Sequence, residues 1–312
     1  MQHLPRKRRG AGAERYGGVR LRRALAPQDA IPLDLAQAVT SATKWLNGCG
    51  MCDIMNNMTA EHFTPQMYLD YYTQHKNISI ADIGVAPVVV VSWGRGVIDE
   101  MAEATGAEIC PHWMYDARYP LYTGQVQNRR VSFAQAPVGA PGTVMMMEEM
   151  IACGARVFLG LGWAGSLQES APVGSMLVPT SCIREEGTSF HYYPEEGATL
   201  SPDQRLVEGL KSAAEAEGAR VATGPQWTID APYRELRSKI AAYQAKGVLG
   251  VDMETSAMYA LGRFRGVSVC NLLVISDELW SEWRPAFRSD ELQAATNLAQ
   301  RIVLKYLEGG LA

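Results

Sequence analysis

Apolar and polar positions alternate with two different periods along most of this chain. From "APVVVVSW" at residues 86–93 onward, short β-branched runs predict strands, at 87–92, 130–136, 156–161, 175–179, 219–223 and 267–275. Between them, apolar residues with helical spacing predict helices, at 96–104, 142–153, 203–217, 232–245, 254–264 and 290–307. This alternation is typical of an α/β fold, in which a central mixed, twisted sheet is largely buried between flanking helices.

The N-terminal part of the chain has a different pattern. Residues 1–30 are rich in arginine and glycine and have almost no aliphatic pattern, which predicts a disordered basic arm. A start codon placed too far upstream would give the same pattern. Residues 31–79 have amphipathic spacing, clearest in "LDLAQAVTSATKWL" and "TPQMYLDYYTQH", and predict a helical extension. We therefore expect one catalytic domain, at residues 80–312, after this extension.

Composition narrows the class of protein. The 312 residues are 47% hydrophobic, which is enough for a substantial core. The formal net charge of -4 gives no basic surface for nucleic acid, and no apolar run reaches the ~18 residues of a membrane span. The six cysteines include "CGMC" at 49–52, but no second pair lies at metal-ligand spacing. We expect a soluble cytoplasmic protein with no bound metal.

A glycine-rich segment resembles a dinucleotide-binding motif without its context. "GLGWAG" at 160–165 follows a predicted strand and spells GxGxxG. A dinucleotide site needs a helix immediately afterwards, whereas Pro172 and Gly174 follow here and a strand comes next. The segment is better interpreted as a turn at the carboxyl end of a buried strand. Ligands of open α/β sheets bind at that edge.

Two carboxylates lie at the ends of predicted elements. In "GVDMETSAMYAL" (250–261), Asp252 suits a helix N-cap, and Glu254 falls in the first turn, where the helix dipole keeps an acid ionised. An ionised acid there can accept hydrogen bonds from a pair of sugar hydroxyls. In "LLVISDEL" (272–279), Ser276 and Asp277 end a strand, where a partly desolvated acid can donate a proton. Each acid alone also fits an ordinary cap or turn, but together they suit cleavage of an N-glycosidic bond, whose departing base needs a proton.

These segments, with "GLGWAGSLQESAPVGSMLVP" upstream, resemble the nucleoside phosphorylase-I superfamily over roughly residues 85–308. That superfamily contains purine nucleoside phosphorylases, uridine phosphorylases and methylthioadenosine nucleosidases. The resemblance implies a three-layer α/β fold in which Met253 and Glu254 hold the ribose and Asp277 acts at N7 of a purine. It also implies a small-molecule nucleoside as substrate, inorganic phosphate as co-substrate, no cofactor, and a homo-oligomer (dimer, trimer or hexamer).

The resemblance assigns further residues to the two halves of the site. The phosphate half would use Gly94, Arg95 and Arg118, the last lent across a dimer interface. Arg284 or Arg288 would assist the acid. The sugar and base would contact residues of the glycine-rich turn, the strand end and two loops, namely Gly165, Trp163, Ser276, His191, Tyr192 and Tyr233.

Two positions depart from the phosphorylase pattern. Gly160 stands where phosphorylases have a phosphate-binding arginine, and Trp163 stands where they have a serine or threonine. Phosphate needs several donors, preferably charged ones, so these departures weaken the phosphate site. Members that use water carry a glutamate after the first strand, and here only Asp99 and Glu100 lie nearby, out of register. Hydrolysis, a diverged nucleoside-binding protein and an enzyme of a specialised nucleoside pathway therefore stay open beside phosphorolysis.

Overall fold

The structure is a computed structural model that describes residues 61–115 and 118–310. The chain divides into two compact units, residues 1–62 and Phe63–Ala312. The predicted basic arm at 1–30 and most of the predicted extension at 31–79 lie outside the described residues. The described end of that extension is a helix, which begins after Thr64 because the Thr64 side chain accepts a hydrogen bond from the Met67 N–H.

One sheet organises the described residues of the second unit. Its strands are β1 (Val88–Ser92), β2 (Glu108–Ile109), β3 (Leu121–Val126), β4 (Arg129–Gln135), β5 (Val157–Ser166), β6 (Met176–Glu185), β7 (Val221–Ile229), β8 (Gly250–Asp252), β9 (Ser268–Glu278) and β10 (Arg284–Pro285). Its helices are α1 (Pro65–Lys76), α2 (Arg95–Thr105), α3 (Ala140–Ala152), α4 (Ser189–Tyr192), α5 (Gln204–Ala216), α6 (Arg237–Gln244), α7 (Thr255–Arg265) and α8 (Asp290–Gly309).

The sheet is mixed, with the order β10-β9-β6-β7-β8-β5-β1-β4-β3-β2. A further pairing joins β9 to β5, so that β5, β9, β6, β7 and β8 close into a ring. The long strand β5 belongs to both parts, because its first half also pairs in parallel with β1 and its last two residues pair with β8. The carboxyl ends of β5 and β9 therefore meet the short strand β8 at one end of the ring.

Helices cover both faces of the sheet. Apolar residues of α2, α5 and α8 form one buried cluster with β-strand residues such as Leu159 and Leu272. Apolar residues of α1, α3 and α7 form a second cluster on the opposite face, with residues such as Phe158 and Val269. Neighbouring residues of one strand thus point to opposite layers, as strand geometry requires. The expected three-layer α/β fold is confirmed.

The predicted strands and helices of the catalytic domain are present, with shifted bounds. The predicted helix at 232–245 is shorter than expected, since a 3₁₀ turn occupies Pro232–Arg234 and α6 begins only at Arg237. At "GLGWAG" the strand does not end in a turn, because β5 continues through it to Ser166. Within the described residues, no helix is long and apolar enough to cross a lipid bilayer.

Candidate active site

A pocket of about 610 Å³ opens where β5, β8 and β9 end. Aromatic side chains and carboxylates dominate its walls. The lining residues are Trp93, Val138, Trp163, Ala164, Gly165, Pro232, Tyr233, Glu235, Val251, Asp252, Met253, Glu254, Ser276, Asp277, Leu279, Trp283 and Phe287. Among these described lining residues there are four carboxylates and no lysine, arginine or histidine.

Glu254 lies on one wall of this pocket and is held by backbone amides. The Gly139 N–H donates to its Oε1 at 2.6 Å, and the Met253 N–H donates to its Oε2 at 3.2 Å. Glu254 is only 6% exposed. Burial raises the pKa of Glu254 to about 8, and the nearby Asp252 carboxylate acts in the same direction.

The predicted setting of Glu254 is wrong in two respects. Glu254 is the N-cap residue, with φ −136° and ψ −32°, and α7 begins one residue later at Thr255. It therefore precedes the first turn, and burial beside Asp252 raises its pKa instead of lowering it. Hydrogen-bond donors on a bound ligand would favour the ionised form of this carboxyl.

Asp252 supports the start of α7 although it is not the N-cap residue as predicted. Its Oδ1 accepts hydrogen bonds from the Thr228 hydroxyl at 2.8 Å and from the Thr255 N–H at 3.4 Å, and its Oδ2 accepts one from the Thr255 hydroxyl. Burial raises the pKa of Asp252 to about 6, while these hydrogen bonds oppose the rise. Asp252 thus ties β8, β7 and the start of α7 together.

Asp277, the penultimate residue of β9, lies on another wall of the same pocket. Its Oδ1 accepts a hydrogen bond from the Ser276 hydroxyl at 2.8 Å, and its Oδ2 accepts one from the Trp283 indole N–H at 2.9 Å. Gly165 lies beside it on β5, where a Cβ would come within 3.5 Å of Asp277 Oδ2 and 2.4 Å of Leu279 Cδ1. Glycine at this position therefore leaves room for the Leu279 side chain next to Asp277.

Glu235 adds a carboxyl on the same side as Asp277. It follows the 3₁₀ turn that presents Tyr233, which is 99% exposed and lines the pocket rim. Burial raises the pKa of Glu235 to about 7, and the negative charge of Asp277 contributes to the rise. Glu235 and Asp277 thus face the part of the pocket that Trp283 and Phe287 border.

Trp163 occupies the region that the resemblance assigned to phosphate. A Cβ on Gly94 would lie 2.4 Å from Cη2 of the Trp163 ring, so the indole packs directly on that backbone. Its Nε1 donates to the Thr296 hydroxyl of α8 at 3.1 Å. At Gly160, a Cβ would lie 2.1 Å from Oδ1 of Asn271 on the adjacent strand. Asn271 therefore fills the space that a side chain at position 160 would need.

Several predicted residues lie away from the pocket lining. The Arg95 guanidinium binds Asp99 at 2.8 Å, and Arg118 is exposed. The Arg284 guanidinium binds Glu278 at 2.8 Å rather than Asp277. His191 is exposed on α4, and the Tyr192 hydroxyl donates to Glu148 at 3.1 Å.

The two acids near the first strand bind partners elsewhere in the fold. Asp99 pairs with Arg95, and Glu100 accepts a hydrogen bond from Gln300 at 2.9 Å. Neither acid lines the pocket, and Arg288 is exposed outside it. No group of three or more His, Cys, Asp or Glu side chains in the described part of the chain could hold a metal ion.

The pocket unites seven of the predicted site residues, namely Glu254, Asp277, Met253, Gly165, Trp163, Ser276 and Tyr233. Sequence reasoning missed Glu235, Trp283 and Phe287. An acid two residues beyond Tyr233 and two aromatic residues within ten positions of Asp277 were visible signals, but only the fold shows that they face one cavity.

Comparison with solved structures defines the fold class first. The chain superimposes on a uridine phosphorylase from Vibrio fischeri with a TM-score of 0.64, at 22% sequence identity, over 73% of this chain and 95% of that one. The sequence model of the phosphorylase superfamily matches residues 87–308. This chain belongs to the phosphorylase superfamily, as the resemblance implied.

Curated relatives agree with this membership. A uridine phosphorylase from Treponema pallidum is 32% identical over 177 residues, which cover 53% of this chain and 68% of that protein. A guanosine phosphorylase from Halorubrum lacusprofundi is 25% identical over 62% of this chain and 80% of that protein. A purine nucleoside phosphorylase from Bacillus cereus is 25% identical over 51% of this chain and 68% of that protein. Proteins with these names are pentosyltransferases, which confirms the expected enzyme class.

Proposed function

We propose that this chain cleaves the N-glycosidic bond of a purine nucleoside and transfers the pentosyl group to inorganic phosphate. The products would be the free base and ribose 1-phosphate. The observation that carries the proposal is that Glu254 and Asp277 line one pocket, at the ends of neighbouring elements. Their different hydrogen-bond partners suit them to different parts of a nucleoside.

Glu254 is assigned to the sugar. Amide donors from Gly139 and Met253 fix its carboxyl, leaving its remaining lone pairs for the 2′- and 3′-hydroxyls. As the glycosidic bond lengthens, the sugar gains positive charge, and an anionic Glu254 stabilises that state more than the neutral substrate. The hydroxyl contacts thus hold the sugar, while the charge lowers the barrier.

Asp277 is assigned to the base. Its proton passes to N7 as the bond between C1′ and N9 breaks, and the bonding electron pair stays with the departing base. An acid suits a purine because N7 can accept a proton, whereas uracil offers no equivalent ring nitrogen beside its glycosidic bond. Two of the named relatives, from Halorubrum lacusprofundi and Bacillus cereus, act on guanosine or purine nucleosides according to their names.

Hydrolysis is the second candidate because of one specific arrangement. The Trp163 ring packs on Gly94, and no described lining residue carries a positive charge. A phosphate dianion gains little from such walls, whereas a water molecule needs only hydrogen-bond partners. The names of the relatives favour phosphate, and this arrangement favours water.

A product assay shows whether phosphate or water is the nucleophile. Purified protein is incubated with guanosine, inosine, adenosine, uridine and methylthioadenosine, each with and without phosphate, and the products are resolved by chromatography. Strictly phosphate-dependent release of base and ribose 1-phosphate from a purine nucleoside is the expected result. Release of free ribose at the same rate with and without phosphate would establish hydrolysis. Release of uracil alone would refute the purine assignment.

We also propose that copies of this chain form a homo-oligomer in which Arg118 reaches a neighbouring phosphate site. The exposed position of Arg118 outside its own pocket supports this placement. Light scattering should give the mass of a dimer or larger assembly, and Arg118→Ala should raise KM for phosphate while leaving that mass unchanged. A monomer with full activity would refute the proposal.

A further inference from the structure

The acid on the base side of the pocket is fixed through both of its oxygens. Ser276, its neighbour on β9, donates to Oδ1 at 2.8 Å, and Trp283 donates to Oδ2 at 2.9 Å. Ser276 also reaches the Ala164 carbonyl at 3.3 Å, so its hydroxyl is shared. The Trp283 indole N–H has Asp277 as its partner and has only one hydrogen to give.

The chain path explains why Trp283 meets Asp277. After β9 the chain turns back, and β10 pairs antiparallel with the end of β9, with Arg284 opposite Glu278 and Pro285 opposite Asp277. The ion pair between Arg284 and Glu278 fixes this return. Trp283 directly precedes the paired residues and is thereby directed toward the Asp277 carboxyl.

The indole also borders the space where a base would lie. Trp283 is 60% exposed and lines the pocket, and its ring centroid is 6.4 Å from that of Phe287. An exposed tryptophan contributes little to the core, so its orientation is not explained by packing alone. A flat aromatic wall beside an acid suits a purine, whose ring can stack while its edge meets the acid.

The partner of Asp277 is neutral, although the resemblance predicted an arginine there. Arg284 is committed to Glu278, and no lysine, arginine or histidine occurs among the described lining residues. The indole N–H of Trp283 thus donates to Asp277 at the place where a guanidinium was expected. A neutral indole fixes the orientation of the Asp277 carboxyl through this hydrogen bond.

We propose that Trp283 is the positioning residue of the base-side acid, whose carboxyl it holds toward the bound base. This inference rests on the proposed function. During the reaction Asp277 gives its proton to N7, the C1′–N9 electron pair moves to the base, and an oxygen of phosphate bonds to C1′. Asp277 then regains a proton from solvent, so that Trp283 donates a hydrogen bond throughout and never transfers its own hydrogen.

The test compares Trp283→Phe with Trp113→Phe. Phenylalanine keeps an aromatic ring at position 283 but removes the N–H. Trp113 is the matched control because its indole N–H also makes one hydrogen bond, to the Tyr119 carbonyl at 2.9 Å, outside the pocket. Both variants are assayed on guanosine and on 7-methylguanosine, whose base is already cationic and leaves without protonation.

We expect Trp283→Phe to lower kcat on guanosine by ~10- to 100-fold, with KM within about twofold. On 7-methylguanosine the loss should stay below about threefold, because that base needs no acid. Trp113→Phe should show no such difference between the two nucleosides. A merely structural role for Trp283 would affect both substrates equally.

Four results would overturn the inference. Equal losses of Trp283→Phe on both nucleosides, or no loss on guanosine, would remove Trp283 as the positioning residue while the wild type still supports the proposed function. The same substrate-dependent loss in Trp113→Phe would show that the difference is not local to Asp277. A wild-type protein that releases no base from either nucleoside would refute the proposed function, and the inference with it.

Discussion

Replacing Glu254 by glutamine tests the sugar-binding half of the site most directly. Glutamine keeps the size and shape of the side chain and removes its negative charge. In the wild type both carboxyl oxygens accept backbone hydrogen bonds, from the Gly139 N–H at 2.6 Å and the Met253 N–H at 3.2 Å. The amide nitrogen of glutamine cannot accept either one, so it must face a donor or turn into the pocket.

The magnitude follows from the hydrogen bonds that are lost. A hydrogen bond to a charged group contributes ~1.5–3 kcal/mol, and the charged carboxylate accepts from two sugar hydroxyls in the proposed complex. Loss of the charge weakens both contacts and also weakens stabilisation of the cationic sugar. We therefore expect kcat/KM to fall at least ~100-fold, which corresponds to about 2.7 kcal/mol of transition-state stabilisation.

The control is Glu149→Gln. Glu149 is also a buried glutamate, 6% exposed, and burial raises its pKa to about 7. It accepts a hydrogen bond from the Tyr115 hydroxyl at 2.8 Å and does not line the pocket. Steady-state rates of base release from guanosine are measured for both variants, with circular dichroism as the check on folding.

A loss below threefold in Glu254→Gln would refute the assignment of Glu254 to the sugar. An equal loss in Glu149→Gln would show that the effect comes from disturbing any buried carboxyl. A large loss confined to position 254, with unchanged folding, is the result that supports the reasoning.

Three further predictions concern the acid, the pH dependence and the absent arginine. Asp277→Asn should slow the cleavage of guanosine at least ~10-fold more than the cleavage of 7-methylguanosine. Equal losses on both nucleosides would remove Asp277 as the acid. Because the pKa of Glu254 is raised to about 8 by burial and by Asp252, and its ionised form is required, kcat/KM should rise with pH below about 8. A profile that is flat between about pH 6 and about pH 8 would contradict this, and so would a rise that persists in Glu254→Gln. Gly160→Ala should lower the free energy of unfolding by ~1–3 kcal/mol, because its Cβ meets Asn271 at 2.1 Å, whereas Gly96→Ala, with nothing within 4 Å, should not. Equal melting temperatures for these two variants would refute the steric argument.

Two carboxylates of the site, Glu254 and Asp277, were predictable because each has a local signal. Glu254 directly precedes an apolar helical pattern, and Asp277 is the penultimate residue of a long β-branched strand. The ends of such elements meet at one edge of an α/β sheet, so two acids there can be expected to lie close together. The strength of the pattern in β5 and β9 made that edge predictable.

The short strands were not predictable from periodicity. β8 has three residues and β10 has two, too few to show an alternation. Both exist because of distant partners, since Val251 pairs with Gly165 and Pro285 pairs with Asp277. These pairings decide where the chain turns, and the turn after β9 determines that Trp283 rather than Arg284 reaches the acid.

The electrostatic surroundings of the acids could not be predicted from the sequence either. The expectation that Glu254 is kept ionised considered only the helix that follows it. The fold buries Glu254 beside Asp252, and this raises its pKa instead. Likewise, Glu235 lies more than forty positions before Asp277, and only the folded chain brings the two charges together.

Both edges of the described sheet end in strands of only two residues. At one edge, β2 exposes Glu108 and Ile109; at the other, β10 ends with Pro285, which has no N–H to offer. Short edges that carry a charge or a proline give another chain little backbone to pair with. Sheet extension between copies is therefore disfavoured at these two described edge strands.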